Sequence, residues 1–176
     1  YENDYNTLRI NTGNVAYHYK FAKFTVGGII VEDGLAQSTI EAKSASTAER
    51  DMTIGNTGVT AASYFGSDFK IDNSITSSAP GITLKGTQNW YLANNKDVEL
   101  ATNNGISNTA TWNISGSGNL IISDTITNSG SISIGEGVTV KIGSLWEGIS
   151  KEDAADWNTA QESGAISTTY TVISGN

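Results

Sequence analysis

Short apolar pairs recur through the second half of the chain, separated by stretches rich in Gly, Asn and Ser. The members of a pair stand two residues apart, which is strand periodicity, because alternate side chains of a strand point to the same face. Two sets of pairs and a looser set of single residues each recur about every 20–22 residues. The first set is Phe69/Ile71, Trp90/Leu92, Trp112/Ile114 and Ile132/Ile134, the second is Val98/Leu100, Leu120/Ile122 and Val140/Ile142, and the third is Leu84, Ile106, Ile126 and Trp146. Three interleaved sets with one period predict a repeating unit of three short strands.

The stretches between the pairs predict tight corners. Examples are Asn103-Asn104-Gly105 and Asn128-Ser129-Gly130; Gly and Asn accept positive φ, and Asn and Ser can bond their own backbone. Three strands and three corners predict an all-β fold, a parallel β-helix (solenoid) in which each coil buries its inner face against the next. We expect the corner Asn residues to bond backbone groups of adjacent coils. Short strands with Gly/Asn turns are also typical of a meander or sandwich, in which Thr127–Ser131 would close a hairpin.

The pattern predicts one β-solenoid domain over residues 1–176. Within it we expect a less regular N-terminal part at 1–80 and regular coils at 81–145. A helical insertion or cap is expected at 146–164.

Two segments interrupt the strand pattern. Ser38–Asp51 is polar and contains Ala, so we expect an excursion from the coil there, as a loop or a short helix. Ser150 followed by carboxylates is typical of a helix start, and Gly164 of a helix stop. We therefore predict a helix at about 151–162. The strand pattern resumes at Ile166–Ile173, which favours an insertion and a chain cut from a longer solenoid.

Composition narrows the function classes. Ser, Thr, Asn and Gly make up 77 of the 176 residues, the net charge is −8, and only two residues are Arg. Nucleic acid and anionic membranes bind basic patches, so we expect neither as a partner. Cys is absent, which excludes a disulfide framework and a Cys-based zinc site. No apolar run is long enough for a membrane-spanning helix, so we expect no membrane insertion.

Three runs of residues resemble the passenger repeats of bacterial autotransporters, over about residues 82–145. They are Gly86-Thr-Gln-Asn-Trp90, with a Q-x-W entry; Thr111–Leu120, with a G-x-G-N-L corner; and Asp124–Ile134, with an I-x-N-x-G-x-I-x-I strand pair. The resemblance implies a right-handed parallel β-helix of adhesin type, exported to the cell surface. It implies no particular ligand, and the first 80 residues match it less well.

The sequence offers little support for catalysis. His18 is the only histidine and no Gly-x-Ser-x-Gly elbow accompanies it, so a Ser-His-Asp triad is not indicated. Asp68 and Asp72 would lie about 13 Å apart on one strand, too far for a paired-carboxylate site. Glu32-Asp33-Gly34 and Asp97-Val-Glu99 offer oxygen ligands for incidental calcium, but no resident cofactor or metal is expected.

The adjacent pair Trp90-Tyr91 is more informative, because on a strand one ring points inward and the other outward. We expect Trp90 in the core and Tyr91 on the surface. Trp112 is likewise expected in the core. Tyr91, Asp97 and Glu99 are the candidate ligand-binding residues, since an exposed Tyr near polar groups can stack on a sugar ring.

These observations predict a non-enzymatic solenoid, secreted or on the outer cell surface, that serves in adhesion, display or scaffolding. The expected partners are a protein or glycan on a host or neighbouring cell, and further coils of the same polypeptide. Two alternatives stay open: a polysaccharide lyase or glycosidase fragment, and an accessory carbohydrate-binding module. A cleft with clustered acids and an aromatic shelf would favour these, whereas a flat ladder of Thr, Ser and Asn would favour the scaffold.

Overall fold

The computed structural model describes residues 7–11, 17–21, 24–42, 52–74, 81–122, 126–142 and 171–174, and its regular structure there is entirely β. The strands are β1 Thr7–Ile10, β2 Tyr17–Phe21, β3 Phe24–Val26, β4 Gly28–Val31, β5 Ser38–Ala42, β6 Met52–Ile54, β7 Thr60–Phe65, β8 Phe69–Asn73, β9 Ile82–Leu84, β10 Thr87–Leu92, β11 Asp97–Thr102, β12 Ile106–Asn108, β13 Thr111–Gly116, β14 Asn119–Ile122, β15 Ile126–Asn128, β16 Ser131–Ile134, β17 Thr139–Ile142 and β18 Thr171–Ser174.

From β1 to β17, every third strand joins the same sheet. Sheet 1 has the order β1-β4-β7-β10-β13-β16, sheet 2 the order β2-β5-β8-β11-β14-β17-β18, and sheet 3 the order β3-β6-β9-β12-β15. The pairs are parallel throughout, except that β18 runs antiparallel to β17. Successive strands therefore turn through three sheets and stack on the previous coil. The predicted β-solenoid is confirmed, and the antiparallel meander or sandwich is wrong.

The second apolar set is confirmed residue by residue, since Val98 lies opposite Leu120 and Leu120 opposite Val140. The first set is wrong at its beginning, because Phe69 lies opposite Val98 and so belongs to the second set. In β10 the expected register is two residues off: Trp90 lies opposite Ile114, and Trp112 lies opposite Gln88.

Unequal coil lengths explain these differences. Opposed residues are 20 positions apart from Thr111 to Ser131, but 34 apart from Ile30 to Tyr64. The extra residues lie between the strands, where added length does not disturb the ladders. A period read from the late coils therefore fails in the early ones.

The core is a single apolar column inside the three sheets. Its aromatic part runs from Phe69 to Phe65, Trp90 and Trp112, and consecutive ring centroids lie 5.0 to 5.6 Å apart. Trp90 and Trp112 are buried, as predicted. Such offset and edge-on ring contacts add to the free energy of apolar burial.

The expected excursion at 38–51 is wrong for its first five residues. Ser38–Ala42 forms β5, which pairs with β2 on one side and β8 on the other. Ser38 and Ile40 lie opposite the core residues Phe69 and Ile71 and are buried with them. The strand was not predicted because its inward positions alternate between the polar Ser38 and the apolar Ile40. Residues 43–51 and the predicted helix at 151–162 lie outside the described residues.

Asn and Gly shape the corners as expected. The corner residue Asn103 donates from Nδ2 to the carbonyl of Ser74 in the previous coil, which confirms the corner-Asn prediction. The buried Asn108 amide, at the end of β12, donates to Asn128 Oδ1 of the next coil and to the carbonyls of Ala110 and Ser131. Gly116 has φ +100°, and a Cβ there would collide with the carbonyl of Leu92 in the coil below. Only glycine fits this corner without strain.

Candidate functional site

The outer face of sheet 1 carries rows of short polar side chains. Strand register aligns Thr60, Thr87, Thr111 and Ser131 in one row, and Ala62, Asn89, Asn113 and Ser133 in the next. The third row aligns Ile30, Tyr64, Tyr91 and Ser115. Parallel strands lie about 4.8 Å apart, so like side chains in a row stand within reach of each other. This is the Thr, Ser and Asn ladder that the scaffold hypothesis predicts, with two aromatic rings added.

Tyr64 and Tyr91 form a stacked pair on this face. Their ring centroids lie 5.7 Å apart and their planes differ by 15°. Tyr91 is 47% exposed, and in the described part of the chain it is the exposed large hydrophobic residue. The outward position of Tyr91 is therefore confirmed. Because stacking uses one face of the Tyr91 ring, its other face is turned toward β13.

Asp33 anchors the pair from the corner after β4. The Tyr64 hydroxyl donates to Asp33 Oδ1 at 2.6 Å. This hydrogen bond raises the pKa of the Tyr64 phenol above its ordinary value, and partial desolvation and the nearby carboxylate charge raise it further. Tyr64 therefore stays protonated and donating at neutral pH. The adjacent Glu32 pairs with Arg9 of β1.

Two amides next to the tyrosines are linked across strands. Asn113 Nδ2 donates to Asn89 Oδ1 at 2.8 Å. Beside them Ser115 Oγ donates to the carbonyl oxygen of Trp90 at 3.1 Å. These bonds hold the polar side chains of β10 and β13 in fixed positions on the surface.

Gln88 supports β10 from below. Its side chain is buried, its Nε2 donates to the carbonyls of Gly27 and Lys85, and its Oε1 accepts from the indole N–H of Trp90. The Gln of the Q-x-W motif thus has a structural role, since it forms hydrogen bonds with Gly27, Lys85 and Trp90. It places Trp90 inward, and strand alternation then places Tyr91 outward.

The structure separates the three candidate ligand-binding residues. Tyr91 lies on the outer face of sheet 1, whereas Asp97 and Glu99 lie on β11 of sheet 2. Asp97 Oδ1 accepts from Asn119 Nδ2 at 2.8 Å, and Glu99 pairs with Lys70 at 3.3 Å. Both carboxylates thus link adjacent coils. Whether any of the three binds a ligand stays a prediction.

Tyr64 and the Asn89–Asn113 pair were not predicted from the sequence, and Asp33 was considered only as a calcium ligand, not as the partner of Tyr64. Tyr64 stands 27 positions before its partner Tyr91, outside the expected period of 20–22. The sequence contained one signal for the Asn pair: Asn89 and Asn113 each stand one residue before an inward apolar residue, Trp90 or Ile114, and so point outward on their strands.

Other carboxylates also make contacts within the protein. Asp68 Oδ1 accepts from the backbone N–H of Asp97 at 2.8 Å, and Asp72 Oδ1 accepts from the backbone N–H of Ser74 at 3.0 Å. Among the described residues no group of three or more His, Cys, Asp or Glu is arranged to hold a metal ion. The calcium candidate Glu32-Asp33 is occupied by Arg9 and Tyr64. The side chain of His18 lies outside the described part.

Within the described ranges, no helix has the length and apolar character needed to cross a membrane. In comparisons with known proteins, the chain matches no protein-family model, no curated protein and no solved structure.

Proposed function

We propose that this chain is a rigid segment of a secreted or cell-surface solenoid that acts in adhesion or display. The observation that carries the proposal is the unbroken set of ladders from β1 to β17, with one apolar column inside and polar rows outside. Each coil is buried by the next. Such a rod holds its lateral surface in a fixed geometry along its whole length.

The carboxylates favour this function over catalysis. A retaining or inverting glycosidase needs two carboxyl groups that face one substrate bond, one of them with a raised pKa. Here Asp33, Asp68, Asp97 and Glu99 each bind a neighbouring group of the protein. These contacts use the carboxylates to connect coils and corners, which is what a scaffold requires.

Two measurements test the proposal with the full chain. Limited proteolysis of intact cells of the source organism, followed by immunoblotting, tests exposure at the surface; we expect the chain to be cleaved while cytosolic markers stay intact. Microspheres coated with the chain are then counted on host and neighbouring cells. We expect adhesion above that of microspheres coated with Gly116→Ala, which disturbs a corner, and equal to that of microspheres coated with Ser107→Ala, an exposed change on sheet 3.

An activity assay tests the enzymatic alternative. The chain is incubated with neutral and acidic polysaccharides, and new reducing ends and unsaturated uronic acids are measured. We expect neither. Release of either product, lost in Glu99→Gln or Asp97→Asn, would overturn the scaffold proposal in favour of the lyase or glycosidase alternative.

A further inference from the structure

We propose that the free face of the Tyr91 ring and the Asn89–Asn113 pair form a subsite for an uncharged polysaccharide chain. This inference deepens the proposed adhesive function by naming the class of ligand, and it rests on that function. The surface formed by Tyr64, Tyr91, Asn89, Asn113 and Ser115 is called the tyrosine shelf below.

The third row of sheet 1 contains a step from large to small side chains. Tyr64 and Tyr91 occupy two neighbouring positions of the row, and the next position holds the small Ser115. Tyr64 covers one face of the Tyr91 ring, so the other face forms a wall above Ser115. A flat pyranose ring fits against such a wall, because its axial C–H groups pack on the electron-rich face of an aromatic ring.

The Asn89–Asn113 pair offers hydrogen-bonding groups beside this wall. The bond from Asn113 Nδ2 to Asn89 Oδ1 uses one amide group of each residue. The Asn89 NH₂ then serves as a donor and the Asn113 carbonyl oxygen as an acceptor. A sugar hydroxyl both donates and accepts, so two adjacent hydroxyls match this pair. Asn89 is exposed and lies one row away from Tyr91.

From β7 to β16, the outer face of sheet 1 differs in charge from the rest of the chain. The outward positions of β7, β10, β13 and β16 carry Thr, Ala, Tyr, Asn and Ser, with no ionisable carboxylate or amine. The whole chain has a net charge of −8, and sheet 2 carries Lys70, Asp72 and Glu99 on its outer face. An anionic polymer gains no cation on the tyrosine shelf and is repelled by the rest of the chain. An uncharged polymer meets neither penalty.

The side chains of the tyrosine shelf are preorganised. Asp33 fixes Tyr64, which in turn supports Tyr91, and Ser115 is tied to the backbone of Trp90. A surface whose side chains are already ordered loses little conformational entropy on binding. This property suits repeated weak contacts with a long polymer, in which many sites act together.

Isothermal titration calorimetry on the intact chain tests the inference. The probes are cellohexaose and mannohexaose, which are uncharged, and hexagalacturonate, which is anionic. We expect binding of at least one uncharged probe and a much weaker response to hexagalacturonate. No heat from either uncharged probe at millimolar concentration, or tighter binding of hexagalacturonate, would overturn the proposal.

Variants of the tyrosine shelf locate the site. Tyr91→Ala should weaken binding at least about tenfold, which corresponds to about 1.4 kcal/mol. Tyr91→Phe keeps the ring face and should retain binding, whereas Ser115→Tyr fills the step and should abolish it. Ser107→Ala, an exposed change on sheet 3, is the matched control and should bind like the parent chain. Far-ultraviolet circular dichroism checks that each variant is folded.

The outcomes separate this inference from the proposed function. Full binding by Tyr91→Ala, or loss of binding in Asp97→Asn and Glu99→Gln alone, would show that the tyrosine shelf is not the site. If microspheres coated with the chain adhere to cells while both uncharged probes fail to bind, the adhesive function stands and the polysaccharide inference is wrong. Failure of adhesion together with probe binding would leave the tyrosine shelf and remove the proposed function.

Discussion

Gln88→Ala should be among the most destabilising single changes in the chain, although it removes a polar side chain. Gln88 is fully buried and faces the core beside Trp90. Its amide reaches the carbonyls of Gly27 and Lys85, and its oxygen accepts the Trp90 indole N–H. Alanine removes all three hydrogen bonds.

The cost follows from these partners. Each intramolecular hydrogen bond contributes about 0.5–1.5 kcal/mol, so three together contribute roughly 3 kcal/mol. The neighbouring Trp112 cannot replace the Gln88 oxygen, because its indole N–H, like that of Trp90, only donates; Trp112 Nε1 is itself a buried donor without a partner among the described residues. With a slope of about 2 kcal/mol per molar urea, the unfolding midpoint should fall by about 1.5 M.

Urea unfolding followed by tryptophan fluorescence and far-ultraviolet circular dichroism measures this shift. Ser107→Ala, at an exposed position of β12, is the control and should change the free energy of unfolding by less than about 0.5 kcal/mol. Gln88→Met keeps the volume and removes the hydrogen bonds, so it should lose nearly as much stability as Gln88→Ala. Recovery of the parent midpoint in Gln88→Met would refute the hydrogen-bond argument and assign the loss to a cavity.

Two further outcomes are expected. Gly116→Ala should lower the free energy of unfolding by more than about 1 kcal/mol, because Gly116 has a positive φ and the added Cβ would collide with the Leu92 carbonyl. Gly34 also has a positive φ, but its added Cβ meets open space, so Gly34→Ala should cost less; equal midpoints in a urea titration would contradict this. The raised pKa of Tyr64 means that its bond to Asp33 stabilises fully below about pH 10, the unfolded value, and is lost as the pH rises through the folded pKa. Tyrosinate absorbance should show one tyrosine that ionises later in the parent chain than in Asp33→Ala.

The late coils were predictable because their corners are short. Val98, Leu120 and Val140 follow one another at 22 and 20 positions, so their periodicity is visible without a structure. Phe69 was assigned to the wrong sheet because 29 positions separate it from Val98. Corner length is invisible to a search for one fixed period, since extra corner residues leave the strands unchanged.

The candidate site was predictable only in part. Tyr91 could be placed outside by alternation from Trp90, and the exposure of its ring agrees. Its partner Tyr64 could not be found, because pairing depends on the register between β7 and β10. The sequence did not show how Tyr91 lies relative to the two carboxylates Asp97 and Glu99: a corner places them on different sheets.

The sequence alone determined that the chain forms stacked three-strand coils, because strand alternation, Gly/Asn corners and a common period are local properties of the chain. It also determined which ring of Trp90-Tyr91 is buried. Only the tertiary structure decided which coils lie opposite one another, and with them the Tyr64–Tyr91 stack, the Asn89–Asn113 bond and the role of Gln88. The ring stack, the Asn89–Asn113 bond and the bond from Gln88 to Gly27 join residues 24 to 61 positions apart, and their register depends on corner lengths and core packing summed over the solenoid.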